Sequence, residues 1–376
     1  MKITIISNVS GNTWPGSEEV WYRMALKALD KGQDVTACLH TNIHEGEPLK
    51  LFREKGGRLL EWSRGKIVRW ENFRQKWIPN FSDKKLGNPD LILLSAGSLP
   101  ALGYVPGLFQ YLQKTNIPIA VLCLFNAEAL AFSAAERAKI QWLLKRAEKS
   151  IFVCDENRRL ASRQFAVDLS AAENIQNPIR EFFDEPLHMP EVDGNLIFAC
   201  VARMETIWKG QDLLVEVLAS PKWRARNWKL KLFGLGPDLE HVRNIVQMHA
   251  LNNKISFEGY AKDMRDIWRT SHVMVLPSRG EGTPLAILEA MMCARPVLTT
   301  DVGGNCEVLN DGVSGWLVDA ATPKLLDRGL ERVWSDRGRL REMGLEAHKK
   351  AKEIASADTS SQLLEALLSV NKSSIR

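Results

Sequence analysis

The chain has 376 residues, 45% hydrophobic and 25% charged, with a formal net charge of +5. That length suits two domains better than one, and the composition is that of a globular protein with well-filled cores. So small a charge permits an anionic ligand but argues for no nucleic acid, and without an apolar run of about 18 residues no membrane-spanning helix is expected.

The first run, KITIIS (2–7), has strand length and no small-residue cleavage site behind it, so it reads as a buried strand and not a signal peptide. A helix is expected over 17–32, with Val20, Met24, Leu26 and Leu29 on one face and Gly32 at its end. Further strands are expected at 34–40, 90–96, 117–125 and 150–154. Apolar strands alternating with helices indicate a parallel sheet covered on both faces.

Between them, residues 53–77 carry eight basic and three acidic side chains, with Ile67, Trp70, Phe73 and Trp77 at helical spacing. That composition suits a segment lying on an anionic membrane surface or gripping an anionic acceptor. An amphipathic helix packed on its own sheet gives the same pattern. His40 and His44 read as ordinary loop histidines and not as metal ligands. The six cysteines are scattered, with no C-x-x-C, and are expected to be buried free thiols in a reducing cytoplasm.

Residues 177–195 hold three prolines and no period, and read as an interdomain linker. Alternation then restarts, with strands expected at 195–203, 229–234, 254–259, 272–278, 295–300 and 315–319, and a helical segment from about 335 to 368. The fold class is therefore α/β, with two doubly wound Rossmann-like domains facing a central cleft, where strand carboxyl ends bind ligands.

Three stretches in the second half carry chemistry. In EGTPLAILEAMMC (281–293), Thr283 is a plausible N-cap and Pro284 suits the first helical position. Glu281 then sits in a loop at a helix N-terminus, free to meet a ligand. Glu289, inside the helix, can accept two hydroxyls of a ribose. The bland reading of the pair is a solvated loop charge and a helix-face ion pair. Arg203 and Lys209 follow a strand and can clamp a diphosphate, although surface cations look the same. FGLGPDLEHV (233–242) has a strand–glycine–helix form but lacks the third glycine of a dinucleotide fingerprint.

Taken in order, Arg203 with Lys209-Gly210, Phe233 to Asp238, Phe257-Glu258-Gly259, Glu281 to Ala290 and Asp301 to Glu307 resemble the donor-binding domain of the family-four retaining glycosyltransferases of GT-B fold (glycosyl transferases group 1). The resemblance covers roughly 195–320. It implies that Arg203 and Lys209 bind the diphosphate of a nucleotide sugar, that Glu289 takes the ribose hydroxyls and that Glu281 faces the donor sugar. It also implies that amides of Gly282, Thr283 and Leu285 approach the ligand, and that the main chain at Gly259 and Tyr260 borders the base. No D-x-D motif is present, in keeping with metal-independent chemistry, so no cofactor is expected beyond the nucleotide-diphosphate sugar as co-substrate.

In the first half, Gly16, Ser17 and Glu18 resemble the family's G-G-x-E turn, with Pro15 in place of the first glycine. Trp14 beside them could stack on a sugar or a lipid, or be a packed lid residue. Asn126 stands where many relatives carry a histidine at the transferred sugar, and Glu128 is a possible substitute. The expected domains are 1–180, binding acceptor, and 181–354, binding donor, with a helix at about 355–376 packing back on the first. The expected activity is hexosyl transfer, with retention, to a glycan or lipid-linked acceptor in cell-surface polysaccharide or glycolipid synthesis. The expected location is the cytoplasm, at the inner face of the membrane. The alternatives are a GT-B sugar-nucleotide epimerase and a non-catalytic nucleotide-sugar-binding protein.

Overall fold

A computed structural model describes residues 1–9, 14, 16–42, 46–62, 81–179, 182–261, 263–355 and 357–373, with side chains to 370. The chain divides into two compact units, Met1–Pro178 with Asp358–Arg376, and Ile179–Ala357.

The first unit is built on seven parallel strands: β1 (Lys2–Ser7), β2 (Asp34–His40), β3 (Arg58–Trp62), β4 (Leu91–Ala96), β5 (Ile119–Cys123), β6 (Lys149–Phe152) and β7 (Glu173–Asn174). Their order is β3-β2-β1-β4-β5-β6-β7. The central strands β1, β4 and β5 read as largely apolar runs because both faces are covered: Ile3 and Ile5 enter one core, Ile6 the core on the other side. β3 and β7 were not foreseen. β3 is a half-exposed strand, RLLEW, at the sheet edge, and β7 has only two residues. The expected helix at 17–32 is a 3-10 turn, Gly16–Glu18, running into the helix Glu19–Asp30.

The last helix, Thr359–Ser373, belongs to this unit. Its Leu363, Leu364 and Leu367 are fully buried in the core that holds Trp21, Met24 and Ala28. Lys27 bridges to Asp358 and to the Ser361 hydroxyl, and Lys149 Nζ reaches the Ser369 hydroxyl at 3.0 Å.

The second unit has six parallel strands: β8 (Leu196–Val201), β9 (Trp228–Phe233), β10 (Ile255–Gly259), β11 (Val273–Leu276), β12 (Val297–Thr300) and β13 (Gly315–Val318). Their order is β10-β9-β8-β11-β12-β13. Each lies within a run expected from sequence except β9, which starts one residue earlier, at Trp228. The segment entering this unit is strapped to it. Arg295 is fully buried and donates to the carbonyls of Leu187 and His188 as well as to those of Trp268, Ser271, Cys293 and Ala294. His348 and Lys352 hold the Asp184 carbonyl.

Five of the six cysteines are buried free thiols, but Cys306 is exposed, contrary to expectation. His40 is the last residue of β2, buried, and stacked edge-on against Trp62, not in a loop; His44 lies outside the described residues. Among the described residues no helix is long and apolar enough to cross a membrane.

Candidate functional site

Strand order makes the first choice of site. In the second unit the connections turn outward on either side of β8 and β11, so the loops leaving these two neighbours part in opposite directions. Ligands of open parallel sheets bind at the carboxyl ends beside such a switch point. The loop after β8 carries Arg203 and Lys209; the loop after β11 carries Glu281.

These loops meet. Lys209 ends a one-turn helix, Thr206–Lys209, and its Nζ donates to Glu281 Oε1 at 2.7 Å. The Ser278 hydroxyl donates to the same oxygen at 2.6 Å. The Glu281 side chain is only 7% exposed and that of Lys209 24%. The expectation of a loop carboxylate free to move is therefore corrected: Glu281 is buried, and tied by at least a cation and a hydroxyl. Ser278 was missed, although its place three residues before Glu281 at a strand end was the available signal.

Glycines permit the approach. Gly210 has φ +67°, and a Cβ there would lie 2.1 Å from the Pro277 carbonyl oxygen. Gly303 has φ +55°, and its Cβ would lie 2.3 Å from the Glu281 carbonyl oxygen. The loop after β12 closes over the Glu281 loop: Gly304 N–H donates to Gly282 O at 2.9 Å, and the Thr300 hydroxyl to Ser278 O at 2.5 Å. On the other side, Arg279 makes a bidentate pair with Asp212 at 2.9 and 2.8 Å, and its N–H donates to Trp208 O. Asp238, after β9, accepts from the Thr206 N–H and hydroxyl, which hold its carboxyl below the usual range.

The remaining expected residues fall as follows. Arg203 is not drawn into the Lys209–Glu281 contact. Its side chain is 60% exposed and approaches Glu205 at 3.4 Å, while Gln211 Nε2 fixes its carbonyl. The helix expected to be capped by Thr283 begins one residue later, at Leu285, with Pro284 as the cap. Pro284 has no side-chain acceptor, so the helix starts without a side-chain cap. Gly282 and Thr283 are buried, Leu285 and Glu289 half-buried, with Glu289 just over a turn into the helix. Gly259, at φ +70°, accepts the Gly234 N–H at 2.7 Å; Tyr260 beside it is exposed. Among the described residues no group of three His, Cys, Asp or Glu could hold a metal ion.

In the first unit the switch point lies between β1 and β4. Asn8 spans it, with Gly97 N–H donating to its Oδ1 at 2.7 Å and its Nδ2 donating to Ser98 O at 3.1 Å. Gly16 opens the 3-10 turn behind β1, and Pro15 lies outside the described residues. Glu18 in that turn is fully buried; Ser7 Oγ donates to one carboxyl oxygen at 3.1 Å and Trp21 Nε1 to the other at 2.8 Å. Burial outweighs both bonds and pushes this carboxyl up to about 7. Trp14 packs edge-on against Trp21 and Tyr22 and donates to Glu19, which makes it a packed residue. Asn126, past the end of β5, is 3% exposed; its Oδ1 accepts the Ala127 N–H, and its Nδ2 has no partner among the described residues. Glu128 sits on the surface, paired with Arg163. Of the basic segment 53–77, residues 53–62 form a helix end and β3; residues 63–77 lie outside the described residues.

Residues 195–336 match the profile of the family described as Glycosyl transferases group 1, a span that holds all six strands of the second unit. Over 130 residues (34% of this chain) the sequence is 32% identical to an exopolysaccharide phosphotransferase of Streptomyces coelicolor, but it spans only 14% of that protein. Over 243 residues it is 26% identical to the lipopolysaccharide 1,6-galactosyltransferase of Escherichia coli K12, covering 59% of this chain and 67% of that one. Among solved structures, Anabaena Alr3699/HepE in complex with UDP superposes with a TM-score of 0.72 at 18% identity, over 98% of this chain and 100% of that one. This likeness shows the fold, two Rossmann-like units of the GT-B type.

Proposed function

We propose that the protein is a glycosyltransferase that moves a sugar from a nucleoside-diphosphate sugar to a glycan or lipid-linked acceptor, with retention of configuration. The observation that carries this reading is the Lys209–Glu281–Ser278 cluster at the β8/β11 switch point, inside the span that matches a glycosyltransferase family. Arg203 and Lys209 supply positive charge for the leaving diphosphate, which is where electrostatic stabilisation is most effective in transfer of this kind. Glu289, just over a turn into the helix that follows the Glu281 loop, takes the ribose hydroxyls, and Glu281 faces the sugar. The first unit takes the acceptor, with Asn126 presenting an amide N–H in place of a proton-accepting histidine. Relatives named for exopolysaccharide and lipopolysaccharide chemistry support an acceptor of that class. The UDP complex of a protein of the same fold makes uracil the first base to try.

The test is thermal stabilisation by UDP, GDP, ADP and CMP, each beside a Glu289→Ala control. A ligand at about 100 times its dissociation constant adds about 2.7 kcal/mol, well within reach of a melting curve. A shift with one nucleotide, lost in the control, supports the reading and selects the donor for transfer assays. No shift with any nucleotide in folded protein overturns it.

A further inference from the structure

We infer that Ser278 is a positioning residue that keeps Glu281 aimed at the donor sugar while Lys209 changes partner from Glu281 to the diphosphate. The inference rests on the function proposed above. One carboxylate oxygen, Glu281 Oε1, accepts both Lys209 Nζ at 2.7 Å and Ser278 Oγ at 2.6 Å. In the ligand-free arrangement the cation expected to hold phosphate is therefore spent on the carboxylate expected to hold sugar. A diphosphate carries more charge than one carboxylate and draws the ammonium away. The charge-assisted bond from Ser278 remains when the lysine has gone.

Ser278 is built to stay. It is fully buried, its carbonyl is held by the Thr300 hydroxyl from β12, and its neighbour Pro277 lies against Gly210, so serine and lysine approach Glu281 from opposite sides of the switch point. The lysine hangs on a four-carbon stem and can swing; the serine hydroxyl is two bonds from a fixed backbone.

The experiment titrates UDP and UDP-glucose, or the corresponding pair for whichever base stabilises the wild type, into wild type, Ser278→Ala and Ser278→Thr. In Ser278→Ala, the dissociation constant for free UDP stays within about twofold, while that for UDP-glucose rises about tenfold, the equivalent of one hydrogen bond aimed at the sugar end. Ser278→Thr, which keeps the hydroxyl, recovers most of the loss. Thr300→Val, which releases the Ser278 carbonyl and leaves every group near the ligand intact, gives the same selective loss in smaller measure and serves if Ser278→Ala folds poorly. Equal weakening of both ligands, or no change in either, overturns the inference and leaves the proposed function standing. Wild type that binds no nucleoside diphosphate overturns the function, and the inference with it.

Discussion

Replacing Glu18 by Gln tests whether an acid buried at the first unit's switch point stays protonated near neutrality. Its carboxyl is pushed from an ordinary 4.5 up to about 7 by burial, with the Ser7 and Trp21 donors opposing that shift. The raised value fixes the sign. Below 4.5 both folded and unfolded chains hold the proton, and the stabilisation is fully present. As pH rises the unfolded chain releases its proton first, so stability falls, and the loss is complete once pH has passed through about 7. At about 1.36 kcal/mol per unit, a displacement of this size corresponds to about 3 kcal/mol. Glutamine has nearly the same shape and no proton to lose, so Glu18→Gln loses none of this. Urea unfolding of both proteins at pH 5 and pH 8 isolates the effect, because every other titrating group is common to the two. The expected result is that the mutant gains about 2–3 kcal/mol on the wild type between the two pH values, most of the full displacement. Parallel pH profiles would show that Glu18 titrates normally and that the packing argument is wrong.

Removing the site cation by Lys209→Met takes the Lys209 ammonium from a buried carboxylate, and we expect destabilisation of about 2–4 kcal/mol together with loss of nucleotide-induced stabilisation. Calorimetric melts with and without UDP check both effects. Gly303→Ala places a methyl 2.3 Å from the Glu281 carbonyl oxygen at a backbone angle unsuited to alanine, so the loop carrying Glu281 has to shift. Nucleotide-sugar affinity should fall more than tenfold by titration, and unchanged affinity would refute the close packing. Arg295→Met removes the donors from six carbonyls in a fully buried position, and equilibrium unfolding should report a loss of about 3–5 kcal/mol.

What could be read from sequence was local. Several of the eleven expected strands are nearly continuous apolar runs, such as LILLSA and IAVLC, because a parallel sheet is covered twice. The motif residues of the second unit could be placed because each lies in a strand-to-helix loop whose own residues announce the turn. What could not be read depends on partners far along the chain. β3 was hidden because RLLEW lies at an edge and has half-exposed leucines, beside an arresting basic-aromatic run. Glu18 looked like a helix-start carboxylate; only Ser7 and Trp21 closing around it make it a buried acid. Glu281 was expected to be mobile, as a loop residue flanked by glycines ordinarily would be. The lysine that ties it down stands 72 residues earlier, and nothing in EGTP indicates it. The Arg295 clamp was invisible for the same reason, with carbonyl partners 107 and 108 residues back.

The helix Thr359–Ser373 has a consequence for how the protein is made. The first unit contains both Met1–Pro178 and Asp358–Arg376, so its core stays open until the second of these segments has been made, whereas the second unit is complete as soon as Ala357 has emerged. Some 180 residues separate Pro178 from Asp358, which at roughly 5–20 residues per second amounts to about ten to forty seconds on the ribosome. Throughout that interval the face of helix Glu19–Asp30 that holds Trp21, Met24 and Ala28 lacks the leucines that will cover it. Of the two units, the one begun first is thus the one completed last, and its tryptophan face is the part of that core left uncovered longest.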